Sequence, residues 1–448
     1  MKGLAEVLSD LGCRVTGSDL SLRADQTAHF ARRGIVVSQG HAPTQLPADA
    51  DWLVFSPAVP ESNPEREQAR RLGMCQLPLS QACGRLMISR EGISIAGTHG
   101  KSTTTALLGH LLDVAGRAPT VLCGAEVVGR EVNGWAGTGP LLVIESCEYR
   151  RHFLELCPRH VVLLNIEPDH FDCFPTVDDA ARTYAEFVSR LPASGTLVIN
   201  ADAPRVSEAA RHTRARVITI GEGDSVDWTL CETVRTGERQ QLTLRRPDGR
   251  AEVYDVSLPG RHQALGALAV VALANQLGVD RSAVASGLQT FRGIRRRLER
   301  LGEWQGIMLY DDYAHHPTAV SATLATIRAL IGPRRLWVAF QPHQLSRTRA
   351  LLGEFAAAFG SADEVLVLPV FAARETDEAA GTTALAGELV RCLVQSGQRA
   401  RLVESLDRVV ETIETSVPPG DVVVIMGAGS IERIGHEFSE RIRRDRPA

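Results

Sequence analysis

Apolar positions recur along the chain in two rhythms, amphipathic stretches of helical period and short continuous runs, and their alternation predicts an α/β protein. Leu4, Val7, Leu8 and Leu11 share one helical face, with Gly12 placed to end that helix. Arg14 to Asp19 then reads as a strand ending in an acidic residue, and Trp52–Ser56 as a buried strand stopped by Pro57. This is the rhythm of a doubly wound unit, yet the strand and Gly-rich turn that open such a unit do not precede the first helix. A second unit opens with the strand 92–97. It enters a Gly-rich loop and then a helix over about Ser102–Ala115, with Gly116 suited to the position just past its end. Two further apolar strands, Leu141–Ile144 and Val161–Leu164, each stop at a polar residue, Glu145 and Asn165.

Beyond these, Asp227–Cys231, Leu242–Arg246 and Glu252–Leu258 predict a small antiparallel meander, with Asp248-Gly249 as a hairpin turn. A helix over about Ala264–Leu277 closes the unit at Gly278. The composition turns basic at Gly293–Arg297. Strands at Ile307–Asp311, Leu336–Gln341, Val365–Pro369 and Val422–Gly427 then alternate with helices as a third α/β unit. Boundaries near Arg90 and Gly293 give domains of 1–90, 91–292 and 293–448.

Composition narrows the functional classes. The 448 residues are 44% hydrophobic and 23% charged, enough to bury cores in two or three domains and incompatible with wholesale disorder. The formal charge of −4 gives no electrostatic case for nucleic acid or a membrane surface, and no apolar run is long enough to span a bilayer. Nine cysteines without a CxxC pair argue against a disulfide framework and a zinc knuckle, and fit a reducing cytoplasm. Only Lys2 and Lys101 are lysines, so any chemistry that needs a lysine has two candidates.

The sharpest local signal is Gly97-Thr98-His99-Gly100-Lys101-Ser102-Thr103 between a strand and a helix. Backbone N–H groups of such a loop can cradle phosphates, Lys101 can reach the β/γ-phosphates and the Ser102 hydroxyl can bind Mg²⁺. Ile95 stands where the usual P-loop has its first glycine, so the general motif is not matched. Glu145, at a strand end beside this loop, is expected to complete Mg²⁺ coordination; Glu148 is a weaker candidate, and Cys147 reads as packing. In Asn165–Asp172, His170 could ligate a second metal ion or orient a transferring group, while Asp172 is expected to cap the following helix, with Asp169 a second capping candidate. Tyr310–Pro317 sets two carboxylates and the histidines His315 and His316 beyond a strand, a metal or anion site in principle. No cluster has zinc spacing, so zinc is not expected. Arg347 could clamp a carboxylate or phosphate with its planar fork, and Gly427-Ala-Gly429 reads as a tight turn.

Taken in order, the segments 96–105, 145–149, 165–170, 259–262, 311–317 and 340–343 resemble the Mur ligase family of peptidoglycan synthesis along essentially the whole chain. The resemblance implies a Rossmann-like N-terminal domain for a UDP-sugar, and a central P-loop-type ATPase domain with a parallel sheet plus a small antiparallel sheet. A Rossmann-like C-terminal domain for an amino acid would follow. It implies that Gly97 to Thr103, with Asn165 and Asp311, serve ATP, and that Ser102, Glu145 and His170 serve Mg²⁺. Glu148, His315, His343 and Arg347 would then hold the amino acid or the reacting carboxylate, with Lys101, His170, His315 and Arg347 as the catalytic set. The implied reaction is phosphorylation of a carboxylate by ATP, attack of an amine on the acyl phosphate, and loss of phosphate. Family members that add later amino acids are known for a carbamoylated lysine in the central domain. The absence of any lysine there except Lys101 points to the branch that joins L-alanine to UDP-N-acetylmuramate. The recycling branch, which attaches a ready-made tripeptide, and a non-catalytic nucleotide- or UDP-sugar-binding relative are the alternatives. The sequence departs from the family pattern at its opening, where a start upstream of Met1 or a truncation is expected. It departs again at Gln263 and Gly266, where asparagines are usual near the adenine, and at Gln344, where arginine is common.

Overall fold

The computed structural model describes residues 1–375 and 379–445. Its centre is a ten-stranded sheet. From one edge the strands run Ala251–Val256, Arg239–Arg245, Trp228–Thr236, Arg216–Gly221, Thr196–Asn200, His160–Leu163, Glu91–Ala96, Leu141–Glu145, Thr120–Val127 and Val132–Trp135. The expected meander forms, but it is not a separate sheet: Trp228 pairs parallel to Ile220, so the antiparallel strands extend the parallel ones. Strand alternation sends Ile93, Ile95, Val143 and Val162 to one apolar layer and Ala96, Leu142, Ile144 and Val161 to the other. Both faces of the strands around Glu91–Ala96 are therefore covered, as the continuous apolar runs require.

Position within this sheet is what builds the site. Glu91–Ala96 lies between His160–Leu163 and Leu141–Glu145, all three parallel, so their carboxyl ends emerge side by side. The chain leaves Glu91–Ala96 through the Gly-rich loop into the helix Lys101–Val114, one residue earlier at each end than the sequence pattern indicates.

The C-terminal unit is a six-stranded sheet in the order Glu299–Trp304, Ile307–Asp312, Val422–Met426, Leu336–Phe340, Glu364–Val367 and Ala400–Leu402, parallel except for its first strand. It too is buried on both faces, Val338, Phe340 and Val424 packing on one side and Trp337, Ala339 and Val423 on the other.

The first 90 residues differ from the expected single sheet. Thr16–Asp19 pairs with Val36–Gln39, and Trp52–Phe55 with Cys75–Pro78, as two separate two-stranded parallel sheets. The helix Lys2–Asp10 docks on the central unit instead of lying within its own. Its buried Glu6 carboxylate accepts the Asn133 and Gly134 N–H groups at 2.8 and 3.0 Å, satisfying donors on the outermost strand of the large sheet. Gly3 permits this approach, because a Cβ there would sit 3.0 Å from the Asn133 carbonyl oxygen.

Candidate active site

Gly97 turns the chain with φ +135°, and a Cβ there would meet the Asn165 backbone nitrogen at 3.0 Å, so the loop lies directly on the neighbouring strand end. Asn165 braces it. The His99 N–H donates to Asn165 Oδ1 at 2.7 Å, the Asn165 amide donates to the His99 carbonyl at 3.1 Å, and the Thr98 N–H donates to the Asn165 carbonyl at 3.1 Å. Gly100, at φ +82°, begins the helix without a side-chain cap, which leaves first-turn N–H groups facing the crevice for an anion. Ser102 and Thr103 follow as buried residues of that first turn.

Lys101 folds back over the loop. Its Nζ donates to the Gly97 carbonyl at 2.5 Å and the Thr98 carbonyl at 3.1 Å, and pairs with Glu148 Oε2 at 2.9 Å. Burial pulls its pKa down, but Glu148, Cys147 and Glu145 together outweigh this and hold the ammonium above its ordinary value. Glu148 is therefore the counter-ion of Lys101, and its Oε1 lies 3.6 Å from His170 Nε2. Glu145 meets the helix from the other side: Ser102 Oγ donates to Oε1 at 3.0 Å and the Gly124 N–H to Oε2 at 2.6 Å. A side chain at position 124 would collide with that carboxylate at 2.6 Å, which accounts for the glycine. His170 sits at φ +51°, and its buried Nδ1 has no hydrogen-bond partner. Ser102 and Glu145 are hydrogen-bonded to each other, and His170 follows the strand end on the other side of Glu91–Ala96, so a hydroxyl, a carboxylate and an imidazole come from neighbouring elements, a donor set that fits a hard divalent cation with waters.

From the C-terminal unit, His315 follows the Ile307–Asp312 strand and His343 and Arg347 follow Leu336–Phe340. The His315 Nδ1–H donates to the Tyr313 carbonyl at 2.8 Å, and the His315 and His343 rings meet edge-on at 5.6 Å. Arg347 is 2% exposed. Its fork is filled by Asp169 of the central unit, which accepts from Nε at 2.8 Å and Nη2 at 2.6 Å, while Nη1 donates to the His343 carbonyl and Nδ1, each at 3.2 Å. Burial pushes the Asp169 pKa up, yet Arg347 and the histidines His170, His315 and His316 hold the carboxyl well below its usual range. Burial and the Arg347 charge keep His343 neutral, with a pKa lowered to about 4, and act on His315 in the same direction. Asp311 is buried apart from this group, 3.3 Å from the Arg296 guanidinium, and burial raises its pKa to about 7 despite that cation.

Three expectations need correction. Asp172 does not cap the next helix; Thr176 does, with its hydroxyl accepting the Asp179 N–H, and Asp172 instead accepts the Tyr149 hydroxyl at 2.9 Å. Asp169 is an inter-unit ion-pair partner rather than a cap. Cys147 is exposed and not part of a core. Gly266 has a steric reason, since a Cβ there would lie 3.1 Å from Thr104 Oγ1 on the phosphate-loop helix. One group escaped the motif reading: Arg297, whose guanidinium lies 4.9 Å over the Tyr313 ring and has no ion-pair partner among the described residues. A run of three arginines in a basic linker carries no signal for which of them faces a ligand.

Comparison with known proteins places the whole chain. Residues 1–91 match the Mur ligase family catalytic domain, 95–274 the Mur ligase middle domain, and 296–429 the Mur ligase glutamate ligase domain. The UDP-N-acetylmuramate–L-alanine ligase of Thermobifida fusca is 36% identical, covering 99% of this chain and 94% of that protein. Among solved structures, the UDP-N-acetylmuramate–alanine ligase of Thermotoga maritima is 26% identical with a TM-score of 0.82, covering 99% of this chain and 96% of that one. A murein peptide ligase from Psychrobacter arcticus is 25% identical with a TM-score of 0.75 over the same shares of each chain.

Proposed function

The chain belongs to the Mur ligase family, and from this we propose that it joins L-alanine to the lactyl carboxylate of UDP-N-acetylmuramate with the hydrolysis of ATP, a step of peptidoglycan biosynthesis. The observation that carries the reading is the meeting of the lysine-bearing phosphate loop, the Ser102–Glu145 pair and His170 on three adjacent strand ends, opposite the His315, His343 and Arg347 cluster. Residues 1–90 would take the UDP-sugar, 91–292 the ATP and 293–448 the amino acid.

In this reading the N–H groups from Gly97 to Thr103 hold the ATP phosphates, and Lys101 exchanges its carbonyl and Glu148 contacts for phosphate oxygens. Asn165 serves the nucleotide indirectly, by fixing the loop through His99 and Thr98. Ser102, Glu145 and His170 would hold Mg²⁺, which supplies positive charge against the negative charge of the transferring phosphoryl group. The lactyl carboxylate attacks the γ-phosphorus, so a C–O–P bond forms as the bond to ADP breaks. The neutral amine of alanine then attacks the carbonyl, and the tetrahedral adduct loses inorganic phosphate and a proton. His315 and His343, neutral at pH 7, are suited to orient the amine, while their lowered pKa values make them weak bases for its proton. Arg347 is spoken for by Asp169, so its part is to hold His343 and the loop of His170 in place.

The likeness to a murein peptide ligase favours one other reading, transfer of a ready-made peptide to the same sugar. Phosphate release separates them. Release that requires ATP, UDP-N-acetylmuramate and L-alanine together supports the proposal; release with the tripeptide L-Ala-D-Glu-meso-diaminopimelate and not with alanine replaces it by the second reading. Failure of both overturns the ligase assignment. No helix among the described residues is long and apolar enough to cross a membrane.

A further inference from the structure

Outside the magnesium set, one group of side chains converges without an evident task. His99 of the phosphate loop, Glu167 of the loop after His160–Leu163 and His316 of the C-terminal unit each offer a ligand atom, and these atoms lie within 4.8 Å of one another. We propose that His99 Nε2, Glu167 Oε2 and His316 Nδ1 form a binding site for a divalent transition metal of the zinc class, bridging the central and C-terminal units.

The geometry is close to that of a bound ion. Zn–N and Zn–O bonds of about 2.1 Å set the edge of a tetrahedron at about 3.4 Å. His99 Nε2 lies 3.4 Å from Glu167 Oε2, and His316 Nδ1 lies 3.9 Å from the same oxygen. Closing the second distance needs about half an ångström, within reach of small side-chain rotations. The outer contacts are also in place. The Pro168 carbonyl can only accept, so the 3.0 Å contact with His316 Nε2 puts the ring proton there and leaves the Nδ1 lone pair facing Glu167. A backbone carbonyl on the far nitrogen is the arrangement that fixes metal-ligating imidazoles. Thr318 Oγ1 donates to Glu167 Oε2 at 2.6 Å, orienting the carboxylate in the same way. His99 Nε2 is buried and has no hydrogen bond of its own.

The donor chemistry decides the metal. Two imidazoles and one carboxylate suit Zn²⁺, Co²⁺ or Ni²⁺; Mg²⁺ requires mainly oxygen ligands and would not compete here. Burial lowers the His316 pKa to about 4, so that ring is neutral at pH 7, as a ligand must be. Two contacts among the described residues compete for these atoms: a direct His99–Glu167 ion pair at 3.4 Å, which needs His99 protonated, and the Thr318 N–H, which reaches His316 Nδ1 over a long 3.4 Å and would turn to water when a metal took its place. Residues 99, 167 and 316 are too far apart in the chain for any spacing motif to show them, which is why the adjacent histidines gave no zinc signal in the sequence.

The test uses the full chain stripped with EDTA, in excess Mg²⁺ so that the Ser102, Glu145 and His170 set is satisfied. Co²⁺ is titrated and followed by its visible d–d bands. The expected result is one equivalent of Co²⁺ with nitrogen/oxygen-type tetrahedral bands, displaced by Zn²⁺, unchanged in His170→Asn and weakened at least tenfold in both Glu167→Gln and His316→Asn. Asparagine keeps an acceptor to cap the helix at position 316, and thermal midpoints in EDTA verify that the variants fold; if His316→Asn does not, His99→Asn reports on the same site. Bands unaltered in these variants, thiolate charge-transfer intensity from the cysteines, or no bound Co²⁺ would each overturn the proposal.

Discussion

Replacing Asp169 by alanine isolates the contact that joins the two halves of the site. The carboxylate accepts from Arg347 at 2.8 and 2.6 Å and from the His170 N–H at 2.7 Å, and it is 7% exposed. Its removal strands a guanidinium that is 2% exposed and cannot lose its proton. Breaking a buried pair in this way costs about 3–5 kcal/mol. Because Asp169 belongs to the central unit and Arg347 to the C-terminal one, the cost falls on their docking, where undocking lets Arg347 regain water. About 3 kcal/mol corresponds to roughly a 10²-fold shift of the docked-to-undocked ratio, which appears in full where the two units are only marginally docked. Turnover of Asp169→Ala, read as phosphate release, should fall by up to that factor, and Asp169→Asn, which keeps an acceptor for the His170 N–H, should fall less. Urea unfolding adds a control independent of catalysis. Asp169→Ala/Arg347→Met should be more stable than Asp169→Ala alone, since an apolar side chain leaves no charge buried. Turnover within threefold of wild type, or a double variant less stable than Asp169→Ala, would refute the account of this pair.

Other expectations follow from the same geometry. Lys101→Met removes the cation set against the phosphates and leaves Glu148 without its counter-ion; turnover should drop about 10²–10³-fold, and a fall of less than tenfold in steady-state rate would contradict the role given to Lys101. Glu145→Gln should raise the Mg²⁺ concentration for half-maximal rate by about tenfold or more, because it weakens the carboxylate that Ser102 Oγ faces at 3.0 Å; an unchanged Mg²⁺ titration removes Glu145 from the set. His316 and His343 have folded pKa values lowered to about 4, and His315 is lowered in the same direction, so the stability they contribute is complete above the unfolded value of about 6.5 and is lost as pH falls below it, for His316 and His343 toward 4. Each contributes a slope of up to about 1.4 kcal/mol per pH unit. Asp311 has the opposite sign: its folded pKa, raised to about 7, means that the stability it contributes is present below about pH 4 and is lost as pH rises through 7. In chelator, the thermal midpoint should therefore fall between pH 6.5 and 5, and the advantage of Asp311→Asn over wild type should grow from pH 4 to 8; a flat profile for either would contradict these assignments.

Local chemistry was readable in the sequence wherever it was contiguous. A strand, a glycine turn, Lys101, Ser102 and a helix made the phosphate loop evident, and polar residues at strand ends marked Glu145 and Asn165. The carboxyl ends of parallel strands converge, so these separate signals pointed to one crevice. Long-range pairing was not readable. Asp169 beside its strand resembled a capping residue, and nothing in the local pattern tied it to an arginine 178 positions away. The same holds for Glu6, whose partners are backbone groups at 133 and 134, and for the meander, whose alternation predicted antiparallel strands but not their attachment to the parallel sheet.

The central claim is that a carboxylate of the sugar is activated by phosphoryl transfer from ATP at the Gly97–Thr103 loop before alanine attacks. Labelling the lactyl carboxylate of UDP-N-acetylmuramate with ¹⁸O and collecting the inorganic phosphate released with ATP and L-alanine tests it directly. The account predicts that one ¹⁸O atom passes from the carboxylate to the phosphate for each alanine joined. Phosphate free of label, formed alongside the alanine adduct, would contradict it.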